Sequence, residues 1–599
     1  MTKFLTLGIL VIFPALAVAQ HKPQINKPAD VENAAQKTAL LSAPKLEVPM
    51  PSVEVGFPMT IPAMPRERNE IPLSQEFEDF KEKKELVYIA PPNFAPTGAA
   101  VNPIKLKLGM ESNKGDTSAP LDNTVSASND DYVVSISNGI IEVYHQDSKP
   151  VYRAPLRTFF SNKLKGPCDP KVIFDPLEKK FIIFAQRCED QYAESQIIVG
   201  FSSSSNPLEK WNFYLLSGNP LNQPTFWFDY PKIGISKDGL FISGHIFNGA
   251  NQLQETVVYQ IDKDLGFKGN TLEYVVWHNL VDKPIILQPA TYAFNDLSGN
   301  GIFLIGTVWQ DGANYVRLYD ISGNIRSNPQ MKLYKVPTAN YYFFAKAVQK
   351  DQPIDNGDVR MQDALLFDNK IAFVFTSGLE DRYFSRVNIN VMDLSNLTIQ
   401  SKLLGDNVNH SYAFPSIGLI SNQGEAVSLF VLYNGTSDNS FPDIRYKACD
   451  INLSCSQEFL LRGGESTINN YERWGDYSGT SKNRIKKGEL WLSSTYGKNS
   501  TRQTFLANVV ANVAGTDIPA AIPVVSPAIE NISFTAYTKQ NVRIVLKKDG
   551  ASYKSFPQEV SNGKNIFQLF TQNLEKGIYQ IDVFSAENKL IKSVTFTKE

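Results

Sequence analysis

The sequence predicts an all-β chain: a seven-bladed β-propeller followed by a small immunoglobulin-like β-sandwich. Three observations predict it. Phe and Tyr (37 and 25) together with Gly and Pro (36 and 35) favour strands punctuated by turns over helices. Seven segments repeat one layout, an acidic or proline-containing start, a strand, a turn and a second apolar strand. A Pro-rich break then separates a last unit of about 70 residues with hairpin patterns of its own.

In chain order, Lys3, the apolar run "FLTLGILVIFPALA" and Ala17-Val18-Ala19 form an export signal over residues 1–19. Export exposes the thiols to an oxidising compartment. Residues 20–115 read as a Pro-rich, largely disordered arm, with "SQEFEDFKEKKELVYI" (74–89) as a short helix running into a strand. The propeller is expected over 116–514. Its seven repeats begin at Asp122, Asp169, Asp229, Pro289, Asp363, Pro415 and Asp476, about 59 residues apart, a spacing that suits blades with long loops. A four-stranded blade cannot bury both faces alone, so neighbours pack around an axis and their starts gather at one end of a channel.

Four cysteines allow three pairings, and local spacing selects one. Cys168 and Cys188 lie equidistant from a turn near Glu178, at the open end of a hairpin. Cys449 and Cys455 bracket a short loop. A linker follows at 515–527, then a unit at 528–599 with hairpins turning at Asp549-Gly550 and Glu587-Asn588.

The C-terminal unit resembles the sorting domain of the type IX (Por) secretion system. The likeness rests on the Asp549-Gly550 turn, "LEKGIYQIDV" with its Gly577-x-Tyr579 element, and the finish "KLIKSVTFTKE". The usual Pro-Asn-Pro opening is replaced by "SPAIENISF". The resemblance implies type IX secretion machinery as a partner and a product released or attached to the outer cell surface. "PLDNTVSASNDDYVVSISNGIIEVY", "GPCDPKVIFDPLEKKF", "DYPKIGISKDGLFIS" and "RWGDYSG" resemble secreted bacterial sialidase-like or BNR-like propellers. That likeness implies the fold and leaves the chemistry open. "SKDGLF" at Ser236 lacks the spacing and tryptophan of an Asp-box turn.

The starts supply the candidate binding face: Asp122, Asp169, Asp229, Tyr230, Arg360, Asp363, Arg473, Trp474, Asp476 and Tyr477. The acids could brace the ring through backbone N–H bonds, hold calcium, or act as a carboxylate pair, with Glu472 and Tyr477 near one start. No other cofactor is called for. Phe226, Trp227, Phe228, Tyr230, Trp474 and Tyr477 would stack sugars if exposed on a rim, and otherwise pack between blades. The five histidines lack zinc spacing, and no G-x-S-x-G, H-E-x-x-H or P-loop occurs. A net charge of -2 without long charged runs gives no reason for a nucleic-acid partner, and no segment beyond the leader is long and apolar enough to span a membrane. The expectation is a secreted or surface-attached module that binds extracellular glycan or protein without catalysis. The competing expectation is a polysaccharide hydrolase or lyase using the Asp ring.

Overall fold

The computed structural model describes residues 22–47, 104–511 and 529–598, apart from short segments at 146–148, 295–298, 351, 381, 407–408, 423, 470–472, 484–485, 537–539, 561–562 and 571–575. The expected leader, the helix at 74–89, Glu472 and the linker 515–527 lie outside the described residues. Two compact units are present, one reaching Thr516 and one starting at Asp517.

The first unit is nearly all β, with two short helices at Leu156–Phe159 and Lys263–Lys268, and of propeller type. Antiparallel sheets succeed one another over residues 124–155, 167–217, 227–278, 288–341, 361–404, 411–462 and 479–511. Within each, consecutive strands are neighbours, so the first strand is innermost. The inner strands are Thr124–Ala127, Pro167–Asp175, Trp227–Ile235, Gln288–Pro289, Met361–Phe367, Ser411–Leu419 and Gly479–Lys482. Each touches the inner strand of the next sheet, and the last touches the first. Strands behind them, such as Gln196–Ser202 and Gly239–Phe247, are buried almost throughout, because both faces pack on neighbouring sheets.

Closure uses a segment from far upstream. The outer strand of the last sheet is Ile104–Ser112, which pairs antiparallel with Thr501–Ala511. Upstream again, Gln36–Lys37 and Leu41–Ala43 both pair with Leu272–His278. The amides of Ala34 and Leu46 donate to the Met331 and Phe213 carbonyls, each at 2.8 Å. The expected disordered arm over 20–115 is therefore corrected at both described ends. Its composition rules out a core of its own, but an extended segment can pair with the free edges of outer strands.

Cys168–Cys188 and Cys449–Cys455 are bonded as expected, with Cα separations of 6.0 and 4.0 Å.

The second unit pairs Ile529–Ala536 with Gly563–Phe570. A separate four-stranded sheet runs in the order Ala551–Val560, Gln540–Lys548, Gly577–Phe584 and Leu590–Lys598. Val542, Ile544, Leu546, Tyr579, Ile581 and Val583 form its core. Asp549 and Gly550 turn the first hairpin with φ of 48° and 84°, the left-handed conformations a two-residue primed turn requires. Tyr579 is fully buried and stacks on Phe596 at 5.4 Å.

A chain beginning at Asn113 leaves the outer edge of Thr501–Ala511 unpaired. Its melting temperature is expected to fall by about 5 °C or more in a circular-dichroism scan. An unchanged midpoint would remove Ile104–Ser112 from the closure.

Candidate functional site

One local device recurs at the inner-strand starts. In the second sheet Cys168 faces Gln186 and Lys171 faces Phe184, so Asp169 and Pro170 together oppose one residue. Tyr230-Pro231 and Phe414-Pro415 make the same bulge in the third and sixth sheets. The residue before each proline is left-handed, with φ of 48° at Asp169, 56° at Tyr230 and 49° at Phe414. Such a bulge bends the strand and re-aims its side chains, which answers why acids and prolines mark these starts. Gly244 lies opposite the Tyr230-Pro231 bulge, where a Cβ would meet the Phe228 ring and lie 2.9 Å from the Asp229 carbonyl oxygen.

The acids near the bulges are engaged with their neighbours. The Gln186 side-chain amide donates to Asp169 at 2.8 Å and to Asp229 at 2.5 Å, joining the second and third sheets. Asp122 accepts from Asn138 Nδ2 at 2.8 Å and from the Asp476 backbone N–H at 3.2 Å, joining the first and last. Asp363 accepts from Ser416 Oγ at 2.7 Å and from the Ile417 N–H at 3.1 Å. Arg473 donates to Asp476 at 2.5 Å. Arg360 grips Asp358 through contacts of 2.8 to 2.9 Å and lies 4.0 Å over the Tyr230 ring. Burial, reinforced by the Asp476 carboxylate, lifts Asp122 from its ordinary 3.8 to about 6. Asp363 is also raised by burial, against the bonds from Ser416 and Ile417. His245 stacks on Tyr230, and burial followed by the Arg360 charge depresses it to about 3, which keeps it neutral.

These residues do not make an exposed rim. Trp227 and Trp474 are fully buried, Phe228 is 1% exposed, and Tyr230 and Tyr477 are 6% and 5% exposed. Phe226 is partly buried against the core. Of the two placements open to these aromatics, a sugar-stacking rim or packing between blades, the structure has packing. Trp474 joins Phe414, Ala413, Ala347, Ile354 and Ile468 in one apolar cluster at the strand starts. The hairpin Ala347–Gln349 and Gln352–Ile354 builds part of it, and Gln349 exchanges two hydrogen bonds with the Ile468 backbone. Among the described residues no group of three or more His, Cys, Asp or Glu side chains is placed to hold a metal ion.

Beyond this cluster lies a cavity of about 190 Å³ lined by all seven inner-strand regions. It extends from Lys171 and Lys232 near the strand starts to Leu419 and Lys482 at the strand ends. Its lining includes Thr124, Ser126, Thr291, Ser478 and Ser481. Of the predicted residues, Asp363 and Tyr477 line it. The others belong to the buried network behind. Lys171 and Lys232 were missed by sequence reasoning, although each follows a bulge proline, in "CDPKV" and "DYPKI". A lysine placed directly after proline at the head of an apolar strand was the available signal. Lys232 donates to the Gln362 carbonyl at 2.9 Å, and burial lowers its pKa to about 8. Lys171 sits over the Tyr477 ring, its pKa pushed well down by burial and then by Lys232.

No family profile and no curated protein matches the chain. Among solved structures it is similar to Trypanosoma rangeli sialidase in complex with sialic acid, at 9% identity and a TM-score of 0.35, over 82% of this chain and 88% of that one. A Dyadobacter fermentans protein described as of unknown function is 10% identical with a TM-score of 0.32, over 68% and 99%. The GH93 α-L-arabinofuranosidase of Fusarium graminearum is 9% identical with a TM-score of 0.31, over 65% and 92%. At such scores no residue of this chain is matched to a catalytic residue of theirs.

Two outcomes follow from the site. Gly244→Ala is expected to cost about 1–3 kcal/mol in urea unfolding, because the Phe228 ring and the bulge must shift; a cost within error would mean that the bulge is slack. For Asp122, a raised folded pKa means that its stabilising contribution is full below 3.8 and is lost as pH rises through about 6. The stability of the natural protein relative to Asp122→Asn should fall by on the order of 3 kcal/mol between pH 4 and pH 7. A pH-independent difference in unfolding midpoints would contradict the raised pKa.

Proposed function

We propose that this is an exported seven-bladed propeller that binds a small hydroxylated ligand, such as the terminal unit of an extracellular glycan, in its central channel without turning it over. The carrying observation is the axial cavity, bordered by hydroxyl or ammonium side chains from most of the sheets. Its volume lies below the roughly 300 Å³ at which drug-sized pockets begin, which suits one compact ring. The leader, two disulfides and a C-terminal unit read as a type IX sorting domain support release from, or attachment to, the outer cell surface.

The hydrolase or lyase reading draws on Asp122, raised to about 6 beside Asp476. Against it, Asp122 is 2% exposed and both its oxygens are occupied. Calcium, the other role open to the acids, would have to displace the same internal bonds.

The mature protein screened against an extracellular glycan panel, with and without calcium, is expected to bind one class of glycan end with a Kd of roughly 0.1–1 mM and to release no product. Product release abolished by Asp122→Asn or Asp476→Ala, at unchanged stability, would make the protein an enzyme. Absence of any binding would overturn the glycan reading and favour a protein partner.

A further inference from the structure

The charged side chains that line the cavity are Lys171, Lys232, Lys482 and Asp363. Their hydrogen-bonding states differ. Both oxygens of Asp363 are occupied, by Ser416, the Ile417 amide and the Ala364 amide. Two ammonium groups carry six N–H donors between them. Among the described residues, the donors of Lys232 meet one acceptor, the Gln362 carbonyl. Lys171 has no hydrogen bond or ion pair there, and its ammonium faces only the Tyr477 ring. Lys482, at the far end, donates to the Ser421 carbonyl.

The surrounding acids do not meet this need. Asp122, Asp169 and Asp363 act on Lys171 through their charge, and Asp363, Asp476 and Asp358 act on Lys232, opposed by Arg360. Yet none lies within ion-pair distance of either lysine among the described residues, and each has its own donor. Asn138 bonds Asp122, Gln186 bonds Asp169, Arg360 bonds Asp358 and Arg473 bonds Asp476. The channel floor therefore presents charged donors without free charged acceptors. Water in the cavity can serve these donors, and a ligand oxyanion can replace it with charge-assisted bonds.

We propose that Lys171 and Lys232 receive a compact oxyanion, a carboxylate or a sulfate ester, carried on the hydroxylated ligand of the channel. This rests on the binding function proposed above. A compact, singly charged group fits a floor of two lysines beside one carboxylate whose oxygens are already bonded. The hydroxyls of Thr124, Ser126, Thr291 and Ser481 line the rest of the cavity and suit the uncharged part of the ligand. The acids and arginines at the strand starts lie behind this floor and hold it in place.

Calorimetric titration of the mature protein with glucuronate, glucose and inorganic sulfate tests the site. Glucuronate is expected to bind at least 10-fold more tightly than glucose, and sulfate to compete with it. Lys171→Gln should abolish that 10-fold advantage and leave glucose binding unchanged, while Lys171→Arg should retain much of it. Lys232→Met should act like Lys171→Gln; should it fail to fold, the two Lys171 variants decide alone. Competition by sulfate supports a site for any compact oxyanion, and its absence beside tight glucuronate binding narrows the site to carboxylate. Equal affinity for glucuronate and glucose, or a glucuronate affinity untouched by Lys171→Gln, overturns the proposal and leaves the binding module standing. Lys171-dependent sulfate binding without any sugar binding would keep the oxyanion site and overturn the glycan reading. Binding of none of the three overturns the oxyanion site.

Discussion

The inner strand of every sheet in the ring has one edge with no strand of its own sheet beside it, and that edge must find hydrogen-bond partners. An unpaired strand edge away from water is costly and invites unwanted association. Here the neighbouring sheet supplies side chains. Thr124 accepts from the Val172 amide, Thr291 from the Ile235 amide and Ser481 from the Ala127 amide, at 3.1 to 3.3 Å. Asp363 accepts from Ile417, Thr480 donates to the Ile417 carbonyl, and Gln186 bridges Asp169 to Asp229. Between the fourth and fifth sheets the solution is backbone itself, since Thr291–Tyr292 pairs in parallel with Leu365 and Leu366. Each sheet joint thus carries its own polar link, and the ring needs all of them.

That requirement decides what the axis can offer a ligand. Short polar side chains are kept along the inner strands to serve the edges, so the channel they enclose is polar rather than filled with aliphatic groups. At the strand starts the same need recruits carboxylates, which become buried and then depend on arginine, glutamine and backbone donors to remain satisfied. The lysines after the bulge prolines differ, because the bulge turns them toward the axis, away from the acids that would otherwise pair with them. Bracing acids and cavity-lining lysines are thus separated within a few residues of one strand.

Much of the fold was legible because the start of each inner strand is stereotyped. Asp-Pro, Tyr-Pro and Phe-Pro are local solutions to one backbone bend, and local solutions leave local sequence marks. The two disulfides were legible for the same reason, each joining residues of one hairpin or loop. Ile104–Ser112 was not, since its partner Thr501–Ala511 lies some 400 residues downstream and nothing in either strand names the other. Nor was the placement of Ala34 and Leu46 on distant outer strands, which depends on edges that exist only once the sheets have formed. At the site, bracing by the acids and packing of the aromatics were legible as alternatives, but not the cavity lysines Lys171 and Lys232. Trp474 is covered by the hairpin around Ala347 and Ile354, which no local pattern near Trp474 announces.

This cover also bears on catalysis. A general acid with a pKa near 6 is a familiar catalytic device, and Asp122 meets that description beside a second carboxylate. Catalysis also needs a path for substrate and a free oxygen to hand over the proton. Asp122 is 2% exposed, and its oxygens already serve Asn138 and the Asp476 amide. The apolar cluster around Phe414 and Trp474 lies at the strand starts, and the cavity reaches the strand ends at Leu419 and Lys482. From the strand ends, the cavity leads to Lys171, Lys232 and Tyr477, whereas Asp122 is not part of its lining. The geometry that closes the ring has therefore placed most of its acids in bonds between sheets, and Lys171 and Lys232 on the wall of the axial cavity.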